Sequence, residues 1–195
     1  MVSPVIKNWD NKTWLSSKNY IRSFNKFLTN QVQLNSKSKI LDIGCGRGKI
    51  LGNLSSKLRL KSKPLGVDII NHFDKDKNIR FKKISALNLF SINNEKFDLI
   101  LIKQTIHLLK INEIKKLLFL SKKRLTPKGK ILIFTLEPKD NELPTFKLME
   151  EKLLKSLKRD KKIIKLISNK YPNRIMKKFS FRVKLKKFFF YRYDK

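Results

Sequence analysis

Acidic residues are scarce: 15 Asp and Glu stand against 47 Lys and Arg, giving a formal net charge of +32. Cysteine is scarcer still, with Cys45 the sole example among 195 residues. One cysteine excludes an intramolecular disulfide and a cysteine-built zinc site, and it fits a reducing compartment. No apolar run approaches the ~20 residues needed to span a bilayer. The first twelve residues, MVSPVIKNWDNK, lack the apolar core of a secretory leader. We therefore expect a cytoplasmic protein with no membrane partner. There are only two histidines and six glycines, so the position of each carries information.

Hydrophobic residues make up 41% and charged residues 32%, which suits a folded domain rather than a disordered chain. The length fits one domain with a proper core. A charge of +32 attracts polyanions. The basic residues are spread along the whole chain and are mostly lysine. Lys, Ile and Asn are encoded by AT-rich codons, so base composition accounts for the charge more readily than a selected nucleic-acid surface. A nucleic-acid partner is thus an alternative and not the favoured reading.

Three of the six glycines sit in one stretch, residues 39–50, KILDIGCGRGKI. An apolar run closed by a glycine turn and reopened as a helix is the start of a βαβ unit. Glycine lets the backbone adopt positive φ and approach a ligand closely. The helix that follows offers N–H groups to a polar ligand. The spacing is G-x-G-x-G rather than the G-x-G-x-x-G of dinucleotide enzymes, and no G-K-[S/T] follows as in a P-loop.

From there strands and helices alternate. Strand-like runs fall at 39–43, 65–68, 79–84, 97–102 and 130–136. Apolar residues at helical spacing (Ile50, Leu51, Leu54, Leu58) follow the glycine loop. Another helix begins near Asn112 with Ile114, Leu117, Leu118 and Leu125 on its buried face. A Pro/Gly turn at 125–129 leads into the fifth strand. This alternation predicts an α/β fold with a doubly wound, mostly parallel sheet and helices on both faces. Ahead of it, Tyr20, Ile21, Phe24, Phe27 and Leu28 form an amphipathic helix. Residues 1–35 are read as a helical extension or lid, and 36–195 as the main domain. Residues 145–170 read as one long helix. A half-buried strand at 179–185 and another at 188–193 end the chain, so the C-terminal strands are compressed or one is missing. In the second case a Phe-rich edge would be open to dimerisation, and the expected state is a monomer or homodimer.

At Asp42-Ile43-Gly44-Cys45-Gly46-Arg47-Gly48 the sequence resembles the class I S-adenosylmethionine (SAM)-dependent methyltransferases. Their first motif sets an acidic residue two positions before a G-x-G-x-G loop. The resemblance is strong over 38–138 and loose over 139–185. It implies a Rossmann-like fold, SAM as cofactor and methyl transfer. It assigns Asp42, Gly44, Cys45, Gly46 and Gly48 to the loop and methionine side. Asp68 and its neighbour Ile69 fall on the ribose, Ser85 and Ala86 on the adenine, and Gln104 on the cofactor's far side. Ser85 stands where the family most often has Asp. His107 aligns with a histidine common among small-molecule members and is the candidate base. Tyr20, Glu137 and Asn141 are candidate substrate contacts.

The expected acceptor is a small molecule. Glu137, Asp140 and Glu142 cluster near the mouth of the site, which suits a neutral or amine-bearing acceptor; unimpaired substrate binding by Glu142→Lys would count against this. A nucleic-acid-directed methyltransferase and a non-catalytic SAM-binding protein are the alternatives. Against the first, strand four ends in Lys-Gln-Thr and not in an N/D-P-P-Y/F signature. The cluster His72, Asp74 and Asp76 is read as an ordinary polar turn, with no metal expected.

Overall fold

The computed structural model describes residues 18–72, 74–136, 163–166 and 188–194. A first helix, α1 (Lys18–Gln31), precedes strand β1 (Ile40–Ile43). The glycine loop leads into α2 (Lys49–Leu58), and then come β2 (Leu65–Asp68), β3 (Arg80–Lys83) and α3 (Ala86–Ile92). Strand β4 (Phe97–Lys103), a 3-10 turn (Ile106–Leu108), α4 (Ile111–Lys123) and β5 (Leu125–Leu136) complete the central part. Two further strands are β6 (Ile163–Leu166) and β7 (Phe188–Asp194).

These strands form one sheet in the order β3-β2-β1-β4-β5-β7-β6. β3, β2, β1, β4 and β5 are parallel to their neighbours, while β7 runs antiparallel between β5 and β6. The expected doubly wound sheet is therefore present. The order reverses between β1 and β4, and ligands bind at the carboxyl ends beside such a switch point.

The period-two pleat sorts each strand between two apolar clusters. Ile40, Leu99, Leu101, Leu132 and Phe134 pack on one face with Ile21, Phe24, Phe27 and Leu28 of α1 and with Leu51 and Leu54 of α2. Leu41, Ile43, Ile100, Ile102, Ile131 and Ile133 pack on the other with Leu89 and Phe90 of α3 and Ile114 and Leu117 of α4. β1 and β4 are covered on both faces, which is why they read as unbroken apolar runs. Each fully buried aliphatic or aromatic side chain contributes about 1.5–3 kcal/mol by leaving water. The helix at 18–31 has no core of its own, because its apolar face belongs to the sheet's cluster.

Three expectations need correction. The stretch 145–170 is not one helix, since Ile163–Leu166 is a strand paired with β7. A short run of branched apolar residues cannot be told from a helix segment by spacing alone. Within the C-terminal region the sheet is not short of a strand, and the Phe-rich β7 lies inside it, paired on both sides. The expected strand at 179–185 lies outside the described residues. Finally, Leu125 is not part of α4. It begins β5, and the register shift between Phe97 and Leu99 absorbs the Thr126-Pro127-Lys128-Gly129 segment as an irregularity in the strand.

Candidate functional site

The glycine loop turns at three left-handed positions, Gly44 (φ 72), Gly46 (φ 55) and Gly48 (φ 70). At Gly44 the need for glycine is doubled. A Cβ there would fall 1.9 Å from Thr105 Oγ1, so the loop also presses against the end of β4. Gly44 N–H (2.8 Å) and Cys45 N–H (3.1 Å) both donate to the Val67 carbonyl of β2. Gly48 ends the loop and stands before α2, whose start carries no side-chain cap.

Asp68 closes β2 and holds the loop from outside. Its Oδ2 accepts the Gly46 N–H at 2.8 Å and its Oδ1 accepts the Ile70 N–H at 2.9 Å. A carboxylate has about four acceptor positions, so two bonds leave capacity for a ligand's hydroxyls. Ile69, next to it, exposes half of its surface.

Arg47, an unspecified position in the motif, fastens the loop from the other side. Its Nε lies 3.0 Å from Asp74 Oδ1 and its Nη1 donates to Asp74 Oδ2 at 3.1 Å. The pair joins one charge-assisted hydrogen bond to a close ion-pair contact. Asp76 N–H donates to the Arg47 carbonyl at 2.8 Å. The polar turn after β2 is thus clasped onto the glycine loop. Sequence reading missed this because both partners look like ordinary solvated charges.

Asp42 lies one strand over and is 4% exposed. Its Oδ1 has no hydrogen-bond partner among the described residues. Burial pushes its carboxyl up to about 7, against the lowering effect of Lys103, with Asp68 adding to the rise. Asp42 is in register with Leu101 of β4. Lys103, two residues further, is on the same face of the sheet and is a diagonal neighbour within reach of a long side chain.

The end of β4 is backbone-strained. Gln104 has φ 52, a left-handed conformation that costs a non-glycine residue about 1–3 kcal/mol. Its N–H donates to the Phe134 carbonyl at 2.7 Å, which holds the bend. Its Oε1 accepts from Lys103 Nζ at 3.0 Å, while its buried Nε2 has no partner among the described residues. The Thr105 hydroxyl lies 3.1 Å from the Ile43 carbonyl and 3.0 Å from that of Lys103, bridging the ends of β1 and β4.

Helix α1 roofs this edge. Phe24 meets Phe134 edge-on at 5.2 Å between ring centres, and Lys103 Nζ lies 5.7 Å from the centre of the Phe24 ring. Asn25, fully buried, donates through Nδ2 to the Ile50 carbonyl (3.0 Å) and to Asn53 Oδ1 (2.9 Å), tying α1 to the helix behind the glycine loop. The available signal was its place in the spacing 21, 24, 25, 28, 32, where a polar residue occupies a core position.

The remaining expected residues fall as follows. The Ser85 hydroxyl caps α3, accepting the Asn88 N–H at 3.2 Å, and Ala86 is that helix's first residue. His107 lies in the 3-10 turn directly after Gln104 and Thr105. Tyr20 is in the first turn of α1. Glu137, Asn141 and the acidic cluster with Asp140 and Glu142 lie outside the described residues.

The switch point gathers a left-handed glycine loop, an acid at the end of β2 and an unpartnered acid in β1. This arrangement suits a ligand with hydroxyls and a cationic group, as adenosine–amino-acid cofactors have. With the antiparallel β7 between β5 and β6, it defines the class I methyltransferase architecture. The profile of the methyltransferase-domain family matches residues 34–181. The chain belongs to that family, as the glycine-loop resemblance led us to expect. No curated relative matches the chain.

Solved structures share the fold at low identity. The plantazolicin methyltransferase BpumL, in complex with a pentazolic desmethylPZN analog and SAH, is 17% identical with a TM-score of 0.66; the match covers 98% of this chain and 89% of that one. The 1,6-didemethyltoxoflavin-N1-methyltransferase of Burkholderia thailandensis, with 1,6-didemethyltoxoflavin and S-adenosylhomocysteine bound, is 16% identical with a TM-score of 0.65 and coverage of 98% and 84%. A SAM-dependent methyltransferase from Archaeoglobus fulgidus is 18% identical with a TM-score of 0.60 and coverage of 90% and 94%. No described helix is long and apolar enough to cross a membrane.

Proposed function

We propose that the protein is a SAM-dependent methyltransferase acting on a small-molecule acceptor. The observation that carries this reading is the meeting of the glycine loop, Asp42 and Asp68 at one sheet edge, in a chain of the methyltransferase-domain family. The solved relatives support it, since they include complexes with a pentazolic desmethylPZN analog and with 1,6-didemethyltoxoflavin.

When bound, SAM supplies a methyl group made electrophilic by its sulfonium. The chain supplies position. Asp68 accepts the ribose hydroxyls with its remaining lone pairs. Gly44, Cys45, Gly46 and Gly48 shape the backbone along the methionine side, with Asp42 beneath. Ile69 and the Ser85–Ala86 start of α3 border the adenine, where the Ser85 hydroxyl still has a proton to donate. Gln104 faces the cofactor from β4. Holding an acceptor in line is worth about 7–11 kcal/mol of the barrier. His107 is the candidate base that takes the acceptor's proton, an effect of about 100- to 10,000-fold. Tyr20, Glu137 and Asn141 are candidate acceptor contacts. Residues 1–35 act as the lid of a domain formed by 36–195. Cys45, in no disulfide among the described residues, suits a reducing cytoplasm.

Calorimetry with SAM and S-adenosylhomocysteine, followed by labelled-methyl transfer across metabolite, peptide and RNA pools, tests this. We expect binding of both ligands and label in a small molecule. Label confined to RNA overturns the acceptor class. Binding with no transfer to any pool reduces the protein to a SAM-binding one.

A further inference from the structure

The polar end of β4 carries a group with no role in the reading above. Lys103 continues the face of the sheet that holds Asp42, and its ammonium meets Gln104 and Phe24 and acts electrostatically on Asp42. Gln104 Oε1 accepts from it at 3.0 Å, the Phe24 ring lies 5.7 Å away, and its charge acts on the buried Asp42. Beside it is Gln104 Nε2, a buried donor without a partner among the described residues, and across from it Asp42 Oδ1, a buried acceptor without one. Unmade hydrogen bonds at buried polar atoms cost about 1–3 kcal/mol each. Two such atoms of opposite kind next to a fixed ammonium, at the switch point, form the complement of an α-amino-acid zwitterion.

We propose that Lys103, together with Gln104 Nε2, binds the α-carboxylate of the cofactor's amino-acid end, whose ammonium half falls to Asp42, the methionine-side acid already named. This deepens and rests on the reading of the edge as the cofactor site. Each half of the zwitterion then meets its opposite. The ligand ammonium faces Asp42, and the ligand carboxylate faces Lys103 and the amide. Lys103 is a specificity-determining residue: it separates amino-acid-bearing nucleosides from nucleosides without the carboxylate. Through Phe24 it also brings α1 against the occupied site.

The test compares two probes by calorimetry on the full chain. One is S-adenosylhomocysteine; the other is its decarboxylated analogue, S-adenosyl-3-thiopropylamine. A charge-assisted hydrogen bond predicts that Lys103→Met weakens S-adenosylhomocysteine about 10- to 100-fold and the analogue less than about 3-fold. Lys103→Arg, which keeps the charge, restores most of the preference. Circular dichroism and thermal melts verify that each variant is folded. Equal weakening of both probes by a folded Lys103→Met, or no weakening of either, overturns the proposal and leaves the cofactor site standing. If the wild type binds neither probe, the cofactor reading falls as well.

Discussion

The two acids at the carboxyl edge, at the end of β2 and within β1, have opposite surroundings. Asp68 is partly exposed, and both its oxygens are already bonded to backbone N–H groups of the loops that follow β1 and β2. Asp42 is buried, has an unpartnered oxygen and is raised to about 7 by desolvation. The contrast shows one chemical group in two physical states. Asp68 shapes the loop and keeps spare acceptor capacity. Asp42 is held in an unfavourable state that a cationic ligand would relieve. A buried polar group left unsatisfied is expensive, and a sequence keeps one where binding needs it.

The largest expected effect lies at Asp42. Between about pH 4 and pH 7 the folded state retains its proton while the unfolded state releases it. Stability therefore falls as pH rises through this window and levels off above the folded value. At 1.36 kcal/mol per pKa unit the loss amounts to about 4 kcal/mol. Denaturant titrations of the ligand-free wild type and Asp42→Asn between pH 4 and 8 isolate it, because other groups cancel in the difference. A difference that does not change with pH would sink this contrast between the two acids.

Next in size is Gly44→Ala, which joins the two sides of the site by steric conflict. A left-handed alanine costs about 1–2 kcal/mol, and the contact with Thr105 adds an overpacking cost of about 1–3 kcal/mol. We expect a loss of about 2–5 kcal/mol in denaturant unfolding on those two counts. Recovery of stability in Gly44→Ala with Thr105→Ala would show that the Thr105 contact carries part of it; equal losses with and without Thr105 would remove that part of the account.

The smallest effect is expected for Asp68→Asn. One oxygen remains to accept a backbone N–H, while the new amide faces the other donor. The loss of one charge-assisted bond predicts about 1–3 kcal/mol in stability. Hydrogen exchange should speed up at Gly46 or Ile70 and not in β4. Unchanged protection at both amides would show that Asp68 does not hold the loop.

Much of the fold was readable because the signals were local. β1, β2 and β4 are short, largely apolar runs, β3 has a single apolar residue among basic ones, and the helices between them repeat at 3.6 residues. The glycine loop was readable because few backbones need left-handed turns at alternate residues. The region after β5 was not. Ile163–Leu166 has a spacing that serves a helix as well as a strand, and only its pairing with β7 decides. Asp42 and Asp68 were expected at the site, but not their different states. Lys103 passed as one more lysine among many, and Arg47 and Asp74 as surface charges.

The sequence by itself determined where the backbone must turn, which residues alternate between two buried faces, and which acids stand at strand ends. These follow from steric limits on φ and from the period of the pleat. Tertiary structure alone decided which polar groups are buried together. The β1–β4 register sets Lys103 diagonal to Asp42, and α1 brings the Phe24 ring to Lys103. Desolvation and charge pairing depend on distance through space, and residues 24, 42 and 103 come close only when the sheet and its covering helix have assembled.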